Sequence, residues 1–110
     1  ALEQSQNNAM NLDLGHYIAA GNTDAIDFIQ NNHQHIMSMH VKDRQNPENG
    51  KKNVVFGQGN TPIAEVLQLM RDNKYQYAAT IEYEYDTPKD STIIKEIQKS
   101  VMYCKNALES

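Results

Sequence analysis

The sequence predicts an α/β fold with a parallel sheet, and three observations carry that expectation. Three short stretches, 10–14, 36–41 and 78–83, show the two-residue alternation of strands. Each is followed by a segment whose apolar residues recur at helical spacing. The repeated strand–helix order implies parallel strands joined by right-handed crossovers. At 110 residues, 39% hydrophobic and 22% charged, the chain suits one small globular domain.

The elements follow in order. Ala1 to Gln6, "ALEQSQ", reads as the last turns of a helix. Met10 to Leu14, "MNLDL", alternates as a strand, and Gly15 to Asn22 reads as a loop with Gly21 and Asn22 as breakers. Thr23 to Asn32 predicts a helix capped by Thr23, with Asp24 and Asp27 at its positive end. Ile36 to Val41 is the second strand, and Gln45 to Asn60 a long exposed loop rich in Asn, Gly and Lys. Thr61 as N-cap and Pro62 at the first helical position open a second helix, whose Ile63, Val66, Leu67 and Met70 share a face. Ala78 to Tyr83 is the third strand, with Tyr75, Tyr77, Tyr83 and Tyr85 packed around it, and 86–90, with Pro88, is a turn. Ser91 to Leu108 is the third helix, with a seam of Ile94, Ile97, Val101, Cys104 and Leu108. Three parallel strands make a poor independent sheet, because parallel sheets want both faces covered. Either several such units pair up, or the chain, 1–110, is a single partial domain of a larger α/β protein.

Composition narrows the function classes. No apolar run approaches the ~18 residues of a membrane span. The polar start "ALEQSQNN" does not resemble a signal peptide. A net charge of −4 argues against a broad nucleic-acid-binding face. Cys104 is the only cysteine, so no internal disulfide forms. This points to a reducing compartment, the cytoplasm, although an export signal on an upstream part is the other case.

Strand parity then separates an apolar side from a polar one. Met10, Leu12 and Leu14, then Met37, Met39 and Val41, then Ala79, Ile81 and Tyr83 should pack on helices. The opposite side carries Asp13, then Ser38, His40 and Lys42, then Glu82 and Glu84. Asp13, His40 and Glu82 all fall near C-terminal strand ends, where a barrel places its active-site mouth. Two carboxylates and one imidazole there suit Mn²⁺, Mg²⁺, Co²⁺ or Zn²⁺. The plainer reading is that they are near-surface residues. Glu84 shares parity with Glu82 as a rival ligand; Glu82 is preferred as the deeper of the two.

At these residues the sequence resembles a family. "NLDLGHY", "HIMSMHVKDR", "GQGNTPIAEVLQLMRDNKY", "ATIEYEY" and a closing "YCKNAL" helix are similar, in order, to the C-terminal part of the sugar phosphate isomerase/epimerase family, the xylose isomerase-like TIM barrels. The resemblance implies that the three strands are the last three of eight in a (β/α)₈ barrel, which needs about 250 residues when complete. It implies that Asp13, His40 and Glu82 match three of four metal ligands, the fourth being a glutamate on an earlier strand. It implies that His16, in Asp13-Leu14-Gly15-His16, contacts a substrate oxygen. Arg44 is a further candidate contact at a spacing from His40 that departs from the epimerases. The reaction implied is proton transfer beside a ketose carbonyl through an enediolate, polarised by the metal, with Glu82 as one acid/base group and the missing glutamate as the other. The isolated chain is then expected to show little or no turnover.

The implied partners are a small-molecule sugar and either a second copy or the rest of the barrel; nucleic acid and membrane are not expected. A sugar dehydratase, a lyase acting on 3-keto sugars, an abasic-site endonuclease and a non-catalytic half-barrel are the alternatives, the endonuclease disfavoured by the negative charge and too few histidines. Gly57-Gln58-Gly59 before a helix is either a turn or a phosphate contact. Lys42, Asp43 and Arg44 are either a substrate clamp or a salt-bridged strand cap. His33 and His35 are expected at the surface, and Cys104 in the core rather than as a nucleophile.

Overall fold

A computed structural model describes residues 10–110, so the helix end expected at Ala1 to Gln6 lies outside the described residues. Three strands, β1 (Met10–Asp13), β2 (Ile36–Val41) and β5 (Ala78–Ile81), form one parallel sheet in the order β1-β2-β5. The helices α1 (Leu14–Ala19), α2 (Ala25–Asn32), α3 (Ile63–Asn73) and α4 (Ile93–Leu108) connect and follow them. One apolar cluster joins Leu12, Met39 and Val41 of the sheet to Ile18, Ile29, Val66, Leu67 and Cys104 of the helices. The other sheet face carries the polar set: Ser38 Oγ donates to Asn11 Oδ1 at 2.6 Å across β1 and β2, and Asp13 stands opposite His40 in the register.

Several expectations need correction, each for a physical reason. Residues 15–22 are not all loop. Gly15 sits in the first turn of α1, and the Asp13 side chain caps that helix by accepting from the His16 N–H at 2.9 Å. Gly15 is required there because a Cβ would lie 2.6 Å from Lys42 Cγ. Thr23 does not cap α2. Asp24 holds that position, and its carboxylate accepts from the Tyr17 hydroxyl at 2.6 Å instead of from the helix.

The long loop contains a hairpin of two two-residue strands, β3 (Asp43–Arg44) and β4 (Asn53–Val54), paired antiparallel. Thr61 serves that hairpin and not α3: its hydroxyl accepts from Arg44 N–H at 3.1 Å, and Pro62 takes the cap position. The third strand ends at Ile81, two residues short of expectation, although Glu82 N–H still donates to Val41 O at 2.9 Å.

Met37 is 68% exposed because the β1–β2 register slips by one residue between Met10 and Asn11. The slip leaves Met37 as the extra residue, so Ile36 and Met39, three apart, both face the core. The inward face of α4 is Glu96, Ser100, Cys104 and Ala107. Of the expected seam only Cys104 is buried; Ile94 is 69% and Val101 48% exposed, and Ile97 and Leu108 are exposed too. The helix is turned by about one residue, about 100°, from that reading.

Candidate metal and substrate site

The C-terminal ends of β1, β2 and β5 bring Asp13, His40 and Glu82 together on the open sheet face. One ligand atom from each lies within 4.8 Å of the others. His40 Nδ1 is 2.8 Å from Glu82 Oε1. Asp13 divides its carboxylate: Oδ1 caps α1, and Oδ2 is 2.8 Å from Lys42 Nζ and 3.4 Å from His16 Nε2.

Lys42 stands beside this cluster, among its carboxylates. Its side chain is 3% exposed, and its ammonium reaches Asp13 and Glu84 at 2.8 Å each and Glu82 at 3.7 Å. Burial pushes Lys42 towards neutrality, but the Asp13 and Glu84 carboxylates outweigh it and hold the ammonium above its ordinary range. Reciprocally, burial pushes Asp13 up, and Lys42 together with the His16 N–H brings it below the usual carboxylate range. Glu84 is also lowered, first by its hydrogen bond to Lys42. His16 and Arg44 stand beside the cluster: an Arg44 guanidinium nitrogen bonds His16 Nδ1, and the other guanidinium nitrogens donate to Lys51 O at 2.8 and 3.1 Å. The His16 side chain is well exposed.

Asp43 belongs to a different structure. It is 2% exposed, and its carboxylate accepts from the backbone N–H groups of Gly57 at 2.8 Å, Gly59 at 3.1 Å and Thr61 at 3.1 Å. Burial keeps its carboxyl above the usual range against those donors. In the Gly57-Gln58-Gly59 stretch, expected as a turn or a phosphate contact, the Gly57 and Gly59 amides therefore face an internal carboxylate, and the Gln58 N–H donates to Val55 O. A Cβ on Gly59 would collide with Asp43 Oδ1. Cys104 is buried, and burial pushes its thiol up to about 11, as suits a core residue. His33 is half-buried and stacks on Tyr75 with ring centroids 4.2 Å apart.

Parity marked Lys42 and Glu84 as facing the site, but not as a mutual pair. Lys51 and Lys52, read only as loop, line a hollow of about 390 Å³ with Asn53, Glu84, Tyr85 and Asp86.

A parallel sheet with helices on one face and acid, imidazole and amine at its C-terminal strand ends defines a portion of an α/β barrel enzyme fold. The chain belongs to the xylose isomerase-like TIM barrel family, which matches residues 1–105. Among solved structures it is similar to a D-tagatose 3-epimerase-like protein, with 25% identity, a TM-score of 0.66, and coverage of 96% of this chain and 36% of that one. It is similar also to a sugar phosphate isomerase/epimerase from Parabacteroides distasonis, with 22% identity, a TM-score of 0.62, and 86% and 30% coverage. A xylose isomerase domain protein from Alicyclobacillus acidocaldarius matches at 22% identity and a TM-score of 0.62, over 92% and 37%. The chain thus spans about a third of the length of these structures. No curated protein matches it. Among the described residues no helix is long and apolar enough to cross a membrane.

Proposed function

We propose that this chain is the metal-binding part of a divalent-metal-dependent sugar isomerase or epimerase. The observation that carries the reading is the convergence of Asp13, His40 and Glu82 within 4.8 Å at three adjacent strand ends. Ligand bonds of about 2.0–2.2 Å separate two ligands by at most about 4.4 Å. The three donors lie close enough together to converge on one small divalent cation. The donor set, two carboxylates and one imidazole, suits Mn²⁺, Mg²⁺, Co²⁺ or Zn²⁺. A bound ion supplies Lewis acidity that polarises a substrate carbonyl.

The chain's own residues would do the rest. Asp13 is fixed before any ligand arrives, by the α1 amide on one oxygen and Lys42 on the other. Glu82 would take or return the proton on the carbon beside the carbonyl. General acid/base assistance of this kind contributes roughly 10²–10⁴-fold. His16 and Arg44, on the solvent side, orient substrate oxygens. Lys42 was expected among the substrate contacts. Its buried ammonium already carries Asp13 and Glu84, so its part is to neutralise and position those carboxylates.

Calorimetric titration of the chain with Mn²⁺ tests the reading. One site per chain is expected, with affinity lost in Asp13→Asn, His40→Gln and Glu82→Gln. Binding that ignores all three substitutions would overturn it. A screen of ketoses against keto-glycosides, run on the protein that contains the remaining strands, separates isomerase or epimerase from dehydratase or lyase chemistry.

A further inference from the structure

We infer that Glu96 is a positioning residue, which through Tyr85 and Ser91 fixes the turn carrying Glu82 and Glu84 at the site mouth. The inference rests on the metal-site reading above for its consequence, but its geometry stands independently.

Glu96 lies on the inner face of α4 with no solvent exposure. A buried carboxylate is costly unless it is paired or hydrogen-bonded. Here the Tyr85 hydroxyl donates to Oε1 at 2.9 Å and the Ser91 hydroxyl to Oε2 at 2.5 Å, while Lys99 reaches Oε2 at 2.9 Å from the surface. Tyr85 and Ser91 lie on the same connection between β5 and α4, so one side chain of the helix holds both its early part and its end. That connection needs holding. The β5 ladder stops at Ile81, and Glu82 N–H to Val41 O is the last backbone bond from the connection to the sheet among the described residues.

Residues 84 and 85 then point in opposite directions. Glu84 reaches into the site, to Lys42, and Tyr85 reaches into the helix layer, to Glu96. Burial, with the Glu96 carboxylate adding to it, pushes the Tyr85 hydroxyl up to about 12, so it remains a donor throughout the working range. Neither Tyr85 nor Glu96 touches Asp13, His40 or Glu82 through any hydrogen bond among the described residues. They act on the site only by placing the chain.

The test uses Tyr85→Phe, which keeps the ring, and Glu96→Gln, which keeps the shape. Two readouts apply: Mn²⁺ affinity, and amide hydrogen exchange of residues 82–91 relative to α3. Both variants are expected to speed exchange in 82–91 while leaving α3 unchanged, and to weaken Mn²⁺ binding several-fold, short of the roughly 10–100-fold of groups bonded directly to a ligand. Exchange that stays the same, or rises equally in α3, overturns the inference. So does locally faster exchange with unaltered Mn²⁺ affinity. If the unsubstituted chain binds no Mn²⁺, the metal reading fails, and the exchange comparison alone decides whether the latch exists. If Glu96→Gln does not fold, Tyr85→Phe carries the test.

Discussion

Replacing Lys42 by Met removes the ammonium and keeps most of its buried stem. The structure sets the size of the effect. Lys42 makes two 2.8 Å ion-pair contacts, to Asp13 and Glu84, from a side chain that is 3% exposed. Hydrogen bonds to charged groups contribute about 1.5–3 kcal/mol each. Both carboxylates are partly open to water and can rehydrate, so the loss should fall near the lower end, about 2–3 kcal/mol for the pair. For a chain of this size that lowers the thermal midpoint by roughly 10 °C.

The assay is urea denaturation of the metal-free chain, with and without the substitution, across pH. Asp13 and Glu84 are held below their ordinary values, so their contribution is present above the unfolded pKa and is lost as pH falls through the folded one. Lys42 is held above its ordinary value, so its contribution is present below the unfolded pKa and is lost as pH rises through the folded one. The gap between the two proteins should be widest near neutrality. It should begin to narrow below about pH 4 and again above about pH 10.4. A Lys42→Met chain within about 0.5 kcal/mol of the original at pH 7 would refute the placement of this amine among the carboxylates.

Four further substitutions probe the frame around the site and the setting of α4. Asp43→Asn turns an amide NH₂ towards one of the three backbone donors now facing the carboxylate, and should destabilise the chain by about 2–3 kcal/mol in the same denaturation assay. Gly15→Ala places a methyl group 2.6 Å from Lys42 Cγ; it should displace Lys42, cost about 1–3 kcal/mol and move the Asp13 and His16 resonances in an NMR spectrum. Ile94→Ser on the outer face of α4 should change stability by less than about 0.5 kcal/mol, whereas Val66→Ala in the core should cost about 1–3 kcal/mol; equal effects would mean that α4 is turned as its apolar pattern suggested.

Much of the fold was legible because three strands carried alternating patterns and α3 carried a clean stripe. The failures have distinct causes. Gly21 and Asn22 suggested a loop beginning at Gly15, but Gly15 is where α1 crosses Lys42 too closely for any side chain. A hairpin of two-residue strands is too short to show periodicity, and it is held from outside by Thr61, whose hydroxyl accepts from Arg44 N–H and whose own N–H donates to the Asp43 carboxylate. The α4 seam was misread because its inner face holds Glu96 and Ser100, polar residues that satisfy one another and the preceding turn. Met37 broke parity through a register slip that no local pattern reveals.

At the site, parity was enough to converge Asp13, His40 and Glu82, because side-chain alternation along parallel strands is rigid geometry. It could not show that Lys42 would be buried among the carboxylates, since that depends on packing across three strands. Nor could it show that Asp43, one residue further on, turns away to cap the glycine turn.

The most direct measurement is the absorption spectrum and stoichiometry of the Co²⁺-loaded chain, compared with its His40→Gln variant. The account predicts one Co²⁺ per chain in an oxygen-rich field with one imidazole nitrogen, and a spectrum that changes when His40 is removed. A chain that takes up no Co²⁺, or one whose spectrum is identical without the imidazole, would contradict it.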